Sequence, residues 1–159
     1  MAPWHVDFHI LPTAALGRAA GAPTRDVLAT TEWWKGTRAA ADLHAQLDVV
    51  APGRTAAGPD IERWGSGEGN HVDVRSDGGE VRTIIARVDV RRLDARFAAA
   101  LLGFVRSAGA TLVRRDGSVV GPTIAAFAAA LRGSTAWSHA NDPATWLASR
   151  PAIEEDDPD

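Results

Sequence analysis

Three short segments, HVDF at residues 5–8, HVDV at 71–74 and RVDV at 87–90, repeat one pattern: an aspartate set between two apolar residues. A period of two is what a half-buried strand requires, because successive side chains point to opposite faces of a sheet. The segments therefore specify strands on which Val6/Phe8, Val72/Val74 and Val88/Val90 share the packed face. The complementary set is polar and shares the other: His5, Asp7, His9, His71, Asp73, Arg75, Arg87, Asp89 and Arg91.

The rest of the chain follows from periodicity and punctuation. Residues 4–11 alternate as a first strand, ended by Pro12, and residues 12–30, rich in Ala, Gly and Pro, read as a loop with one short helix. Thr31 caps a helix through EWWKG, and residues 37–50 form a stronger one with Ala40, Leu43, Leu47 and Val50 at three–four spacing. Residues 51–60 read as loop on composition, IERWG as a short strand and GSGEGN as a turn. Residues 71–75 and 81–91 form a hairpin. A three-residue loop, Asp77-Gly78-Gly79, pairs Val72 with Ile84 and Asp73 with Thr83, whereas a two-residue loop would set His71 against Ile84. Asp94 caps a helix to Ser107 with Phe97, Leu101, Phe104 and Val105 on one stripe, and Gly109 suits its end. A second hairpin turns at Asp116-Gly117. Thr123 then caps a helix to Arg132 with Ile124, Phe127, Ala128 and Leu131 inward, and NDP opens a last helix bearing Trp146 and Leu147. The expected fold is α+β with two layers: an antiparallel sheet of five or six strands with about four helices packed on one face. It forms a single domain over residues 1–153, followed by an acidic disordered tail at 154–159.

Composition narrows the function classes. A chain of 159 residues suits one domain, and the absence of cysteine removes disulfides and thiolate metal sites. The net charge is −3, yet five acids lie in the tail EEDDPD, leaving 17 bases against 15 acids in the remainder. So even a balance makes no case for nucleic acid or membrane as partner. The start lacks the pattern of a secretory signal, and the longest apolar run, residues 97–105, falls far short of the ~20 residues a membrane span needs. The expected location is cytoplasmic.

Three chemistries compete for the polar face. Same-face neighbours two apart on a strand are roughly 6.6 Å apart, so His5 and His9 stand about 13 Å apart. One metal at roughly 2.0–2.2 Å from each ligand cannot gather His5, Asp7 and His9 from one straight strand. A His5/Asp7 pair completed by His71/Asp73 would need neighbouring strands. Acid/base work is the second option, a histidine beside a carboxylate with Arg75, Arg87 or Arg91 anchoring an anionic group. No nucleophile motif or phosphate loop accompanies these residues, and GSGEGN matches no nucleotide fingerprint. The third option is a solvated face whose Asp and Arg pair across strands, a surface that also suits recognition of another protein. Trp33 and Trp34 add a candidate aromatic edge, because neighbours on a helix point about 100° apart and a narrow buried stripe hides both with difficulty. Alternatively both pack against the N-terminal loop. His44 and His139 stand alone and receive no role.

The succession WWKG, LDVVAP, ERWGSGEGN, RVDVR and STAWSHANDPATWL, over roughly residues 31–149, resembles small standalone bacterial proteins of uncharacterised families. Proteins of this size and architecture include immunity proteins, which neutralise a partner toxin. The resemblance implies a binding role and carries over no catalytic residue. The expectation is a protein–protein recognition module, of the immunity-inhibitor type, acting on a protein partner. No catalytic residue, metal ligand or cofactor is assigned. The alternatives are a small metal-assisted hydrolase using His5, Asp7, His71 and Asp73, and a structural or assembly subunit.

Overall fold

Strand β1 (His5–Pro12) lies inside the sheet, not at its edge, so the first residues of the chain pair with partners far along it. The structure, a computed structural model, describes residues 2–19, 21–37 and 42–141. Helices α1 (Thr13–Arg18), α2 (Arg25–Thr30) and α3 (Leu43–Val50) follow β1. A meander comes next: β2 (Arg54–Gly58), β3 (Ile61–Gly65), β4 (His71–Asp77) and β5 (Glu80–Asp89). A 3-10 turn (Val90–Arg92) leads to α4 (Ala95–Ser107), and the hairpin β6 (Ala110–Arg114) and β7 (Val119–Val120) precedes α5 (Ile124–Arg132) and α6 (Thr135–Asn141). All pairings are antiparallel, in the order β2-β3-β4-β5-β1-β6-β7.

The fold is α+β with one antiparallel sheet, but the described residues hold seven strands and six helices, more than the five or six strands and four helices expected. The extra strand is β2, inside the stretch read as loop. Four of its five residues are exposed, so it carries no apolar alternation; the ladder to β3, Arg54↔Trp64 and Ala56↔Glu62, makes it a strand. The loop at 12–30 holds two short helices, α2 being capped where the Thr24 hydroxyl accepts the Val27 N–H. EWWKG is a turn and not a helix. The turn is closed by the Lys35 N–H on the Glu32 carbonyl at 3.0 Å, while the Trp34 N–H donates to the Arg82 carbonyl at 3.1 Å and its indole N–H to the Ile10 carbonyl at 2.7 Å, which ties this segment to β5 and β1. The helix expected after NDP, with Trp146 and Leu147, and the acidic tail lie outside the described residues.

Both hairpins turn differently from the sequence reading. Between β4 and β5 the loop is the two residues Gly78-Gly79, whose φ values of 58° and 80° suit the left-handed pair a tight hairpin demands. A bulge between Arg75 and Ser76 takes up one residue, so Val72 faces Ala86 and Val74 faces Ile84; apolar still meets apolar, two positions from the expected register. Between β6 and β7 the loop spans Arg115, Asp116 and Gly117, with the Gly117 N–H on the Arg114 carbonyl at 2.8 Å.

The apolar face meets the helices as the alternation requires. Phe8 is fully buried with its ring 5.1 Å from Phe127 of α5, and Val72, Val74, Ile84, Ala86 and Val88 continue the layer. Asp94 caps α4 by accepting the Arg96 and Phe97 N–H groups, and Phe97, Leu101, Phe104 and Val105 are buried on one stripe. Ile124, expected to face inward, is 54% exposed because it opens α5 at the rim.

Gly117 fixes the β6–β7 loop against the segment before α2. Its φ is +86°, and a Cβ there would run into the Pro23 carbonyl oxygen. Gly117→Ala is therefore expected to cost about 1–3 kcal/mol, from left-handed strain and the displaced loop. Gly103→Ala, in the middle of α4 with open space around it, is expected to gain about 0.5–1 kcal/mol. Denaturant midpoints of the two variants should move in opposite directions.

Candidate functional site: the polar face of the sheet

Directly opposite residues of an antiparallel pair lie on the same face, so the register places the polar residues without further assumption. His5 faces Asp89 and Asp7 faces Arg87 across β1 and β5; His71 faces Arg87 and Asp73 faces Ile85 across β4 and β5. His9 is also opposite Ile85, and Arg75 is opposite Thr83. Asp7, Asp73 and Asp89 thus share one side of the sheet, with His5, His9, His71, Arg75 and Arg87. Strand β5 stands between β1 and β4, so Asp7 and Asp73 are not neighbours.

Each of the three aspartates holds an arginine through two parallel hydrogen bonds. Arg87 donates to Asp7 from Nε and Nη2 at 2.7 and 2.9 Å. Arg63 donates to Asp73 from the same two nitrogens at 2.7 Å each. Arg91 donates to Asp89 at 3.1 and 2.8 Å. Planar forks of this kind are the strong form of charge-assisted hydrogen bond, and they fix direction as well as distance. The first two pairs are each about a quarter exposed or less, with Asp7 at 15% and Arg87 at 28%. Arg75 reaches Glu32, at 3.8 Å.

Arg91 does not lie on the strand, as its place in RVDVR suggested. The Asp89 carboxylate accepts the Arg91 backbone N–H at 2.9 Å and so turns the chain into the 3-10 segment. From there the guanidinium covers Trp4 at 3.8 Å from the ring centroid, a cation–π contact. Burial works to raise the fully buried Asp89 carboxyl, and the hydrogen bonds from the Arg91 side chain and backbone outweigh it, holding the group below the usual carboxylate range.

Burial lowers the proton affinity of the three histidines on this face, His5, His9 and His71. His71 is buried and its Nδ1–H donates to the Ser66 and Gly69 carbonyls at 2.9 and 3.1 Å, leaving Nε2 as the unprotonated nitrogen, 3.9 Å from Asp73 Oδ2. Burial, then repulsion from Arg63, pushes its proton affinity below the usual histidine value. His5 is 8% exposed, neither ring nitrogen makes a hydrogen bond of good geometry, and burial followed by Arg87 lowers it despite an upward pull from Asp89 and the Glu68 backbone. His9 is lowered by burial first, with Asp7 opposing.

Beside this mosaic lies a cleft of about 480 Å³, lined by Asp7, His9, Ile85 and Arg87 of the sheet, Arg25 and Ala29 of α2, and Arg115 of the β6–β7 loop. Helix α2 therefore borders the polar side, where no helix was expected. Arg25 and Arg115 were not singled out in the sequence; the Asp116-Gly117 turn marks a loop but not the face over which the loop leans. Trp33 and Trp34, expected as a candidate exposed edge, are only 8% and 3% exposed and belong to the core. They are buried because the turn they occupy is bonded into the divergent ends of β1 and β5.

Among the described residues no three His, Asp or Glu side chains converge as metal ligands. Of the four residues named for a hydrolase, His71 and Asp73 approach each other, while His5 and Asp7 lie two strands away, and both carboxylates are already engaged by guanidinium groups. Fold and site together define an α+β protein whose antiparallel sheet carries fixed Asp–Arg pairs and an arginine-lined cleft on its polar side. No protein-family model matches the chain, and neither a curated protein nor a solved structure matches it. No helix among the described residues is long and apolar enough to cross a membrane.

The neutral histidines give the fold an acid sensitivity. A histidine whose proton affinity is lowered by folding binds its proton more readily in the unfolded chain, so its contribution is complete above the ordinary value of 6.5 and is lost as pH falls below it. Stability by chemical denaturation is expected to drop between pH 7.5 and 5.5, and His5→Phe to narrow the drop. A flat profile for the wild-type chain would contradict the assignment.

Proposed function

We propose that the polar sheet face is a recognition surface and that the protein acts by binding another protein, as an immunity-type inhibitor does. The observation that carries this reading is the set of Asp–Arg forks on one side of the sheet. Charges held in place before contact lose little freedom on binding, and their pattern selects a partner of complementary pattern. Nothing in the reading needs a reaction step. We also read the architecture as two-layered, with α3, α4 and α5 against the apolar side, and place its work in the cytoplasm. The hydrolase reading draws less support, because its four residues are parted by β5 and its carboxylates serve as arginine acceptors.

A charge reversal that keeps a pair intact tests the surface without dismantling it. In Arg63→Asp/Asp73→Arg the fork is rebuilt in the opposite sense, whereas Val49→Ser alters a 73% exposed position on α3. A partner captured from host lysate by the immobilised wild-type chain should be retained by Val49→Ser and bound at least about tenfold more weakly by the reversed pair, a loss of roughly 1.4 kcal/mol. Equal capture by all three, with the variants folded by circular dichroism, would remove this face as the docking surface.

A further inference from the structure

The two ends of the sheet differ. At one end β7 is two residues long and offers a neighbouring strand little ladder. At the other stands β2, with Arg54, Thr55, Ala56 and Ala57 all exposed and no further strand beside it among the described residues. An end strand is a template for another strand, and chains commonly guard it with proline or with charges set along the edge. β2 contains no proline, and its one charge is turned away. Arg54 Nη1 donates to His44 Nδ1 at 2.8 Å, its Nε lies 3.3 Å from Glu62 Oε2, and its guanidinium stands 6.0 Å from the Trp64 ring centroid. These partners belong to α3 and β3, on the inner side of β2.

The backbone shows which groups β2 presents outward. The Gly53 carbonyl accepts the Gly65 N–H at 3.2 Å, so it points toward β3. Across a trans peptide the next N–H points the opposite way, and no described peptide is cis. The Arg54 N–H therefore points off the sheet. Successive residues of a strand alternate in the direction of their backbone groups, so Thr55 bonds to Arg63 of β3 while the groups of Arg54 and Ala56 face outward. The stretch is closed at both ends. Pro52 has no N–H to offer, and the bulge between Ala56 and Gly58 breaks the alternation.

We propose that β2 pairs with β2 of a second copy of this chain, antiparallel about a two-fold axis at Thr55, joining two sheets into one. The edge is self-complementary. With Thr55 opposite Thr55, Arg54 of each copy lies opposite Ala56 of the other, and every outward N–H and carbonyl of the stretch finds a partner. Sliding one way sets Arg54 against Arg54 and Ala56 against Pro52; sliding the other way sets Ala56 against Ala56 and Arg54 against Gly58, beyond the bulge. Facing threonines are a favourable cross-strand pair. The charges also match: the face that carries Trp64 gathers the Arg54 and Glu62 of both copies, equal in number, with each arginine already held by a glutamate of its own sheet. A contact of this symmetry uses the β2 edge of both copies, so assembly stops at two. Its shortness makes the dimer one of high chain concentration. The contact is independent of the recognition reading of the polar face, because it uses backbone groups at the end of the sheet, and failure of either leaves the other standing.

Sedimentation velocity of the full chain from about 10 μM to about 1 mM should show a monomer passing reversibly to a dimer. Ala56→Pro removes an outward N–H and none that β3 uses, and should weaken the dimer at least about tenfold. Thr55→Glu sets like charges face to face at the axis and should weaken it to a similar degree, while an equimolar mixture of Thr55→Glu and Thr55→Lys chains should restore it. Val119→Glu, on β7 at the other end of the sheet, should leave it unchanged. A chain that stays monomeric at about 1 mM overturns the proposal and leaves the edge to an extended segment of another protein. A dimer indifferent to both β2 substitutions, or broken by Val119→Glu, overturns it by placing the contact elsewhere, and growth beyond two copies overturns the two-fold pairing. Thr55 is exposed, so the exchange of charges there keeps the test decisive even if Ala56→Pro fails to fold.

Discussion

The pairing of β1 with β5 decides what the rest of this molecule can be. In the observed register Asp7 meets Arg87 on one side while Phe8 meets Ala86 on the other. A slip by one residue would carry Phe8 and Ile10 to the polar side and bury His5, Asp7 and His9 under the helices. Two independent forces oppose that slip. On the packed side, a buried apolar side chain such as Phe8 contributes roughly 1.5–3 kcal/mol. On the other, the Asp7–Arg87 fork joins positions 80 residues apart in the chain. Helix α4 then carries the chain from β5 over β1 to β6, so the central strand is enclosed by elements made much later in the sequence.

The same register explains why the polar face is stiff. Long side chains on an exposed sheet sample many rotamers, and isolated surface ion pairs contribute little. Here the three aspartates are tied through paired bonds, two of them cross-strand and one at the turn that closes β5. Arg91 is held a second time by Trp4, itself stacked on His139 of α6. Burial lowers the proton affinity of the nearby histidines, so the charge pattern at neutral pH is set by the carboxylates and the arginines. A face of this kind presents one fixed pattern of charge.

Much of this arrangement could be read from the sequence, because it rests on a period of two. HVDF, HVDV and RVDV put the aspartates on a common side, and the register confirms that for Asp7, Asp73 and Asp89. The caps at Asp94 and Thr123 and the stripe of α4 were equally legible, since each depends on neighbours within one or two turns. What escaped depends on contacts that the periodicity of a segment does not announce. Strand β2 has no apolar pattern of its own and exists through its ladder to β3. The WWKG segment favours a helix locally, yet its Trp34 groups bond to Ile10 and Arg82. Arg25 and Arg115 line one cleft, and the loop of Arg115 approaches Pro23 at Gly117, a closeness that no spacing in the chain reveals.

A double-mutant cycle on Asp7 and Arg87 addresses the central claim most directly. If the fork fixes both register and surface, Asp7→Ala, Arg87→Ala and the double variant should yield a coupling of about 1.5–3 kcal/mol, retained in high salt, since the pair is partly buried and doubly hydrogen-bonded. A coupling near zero, or one that vanishes with added salt, would show two separately solvated side chains and a polar face without a fixed pattern.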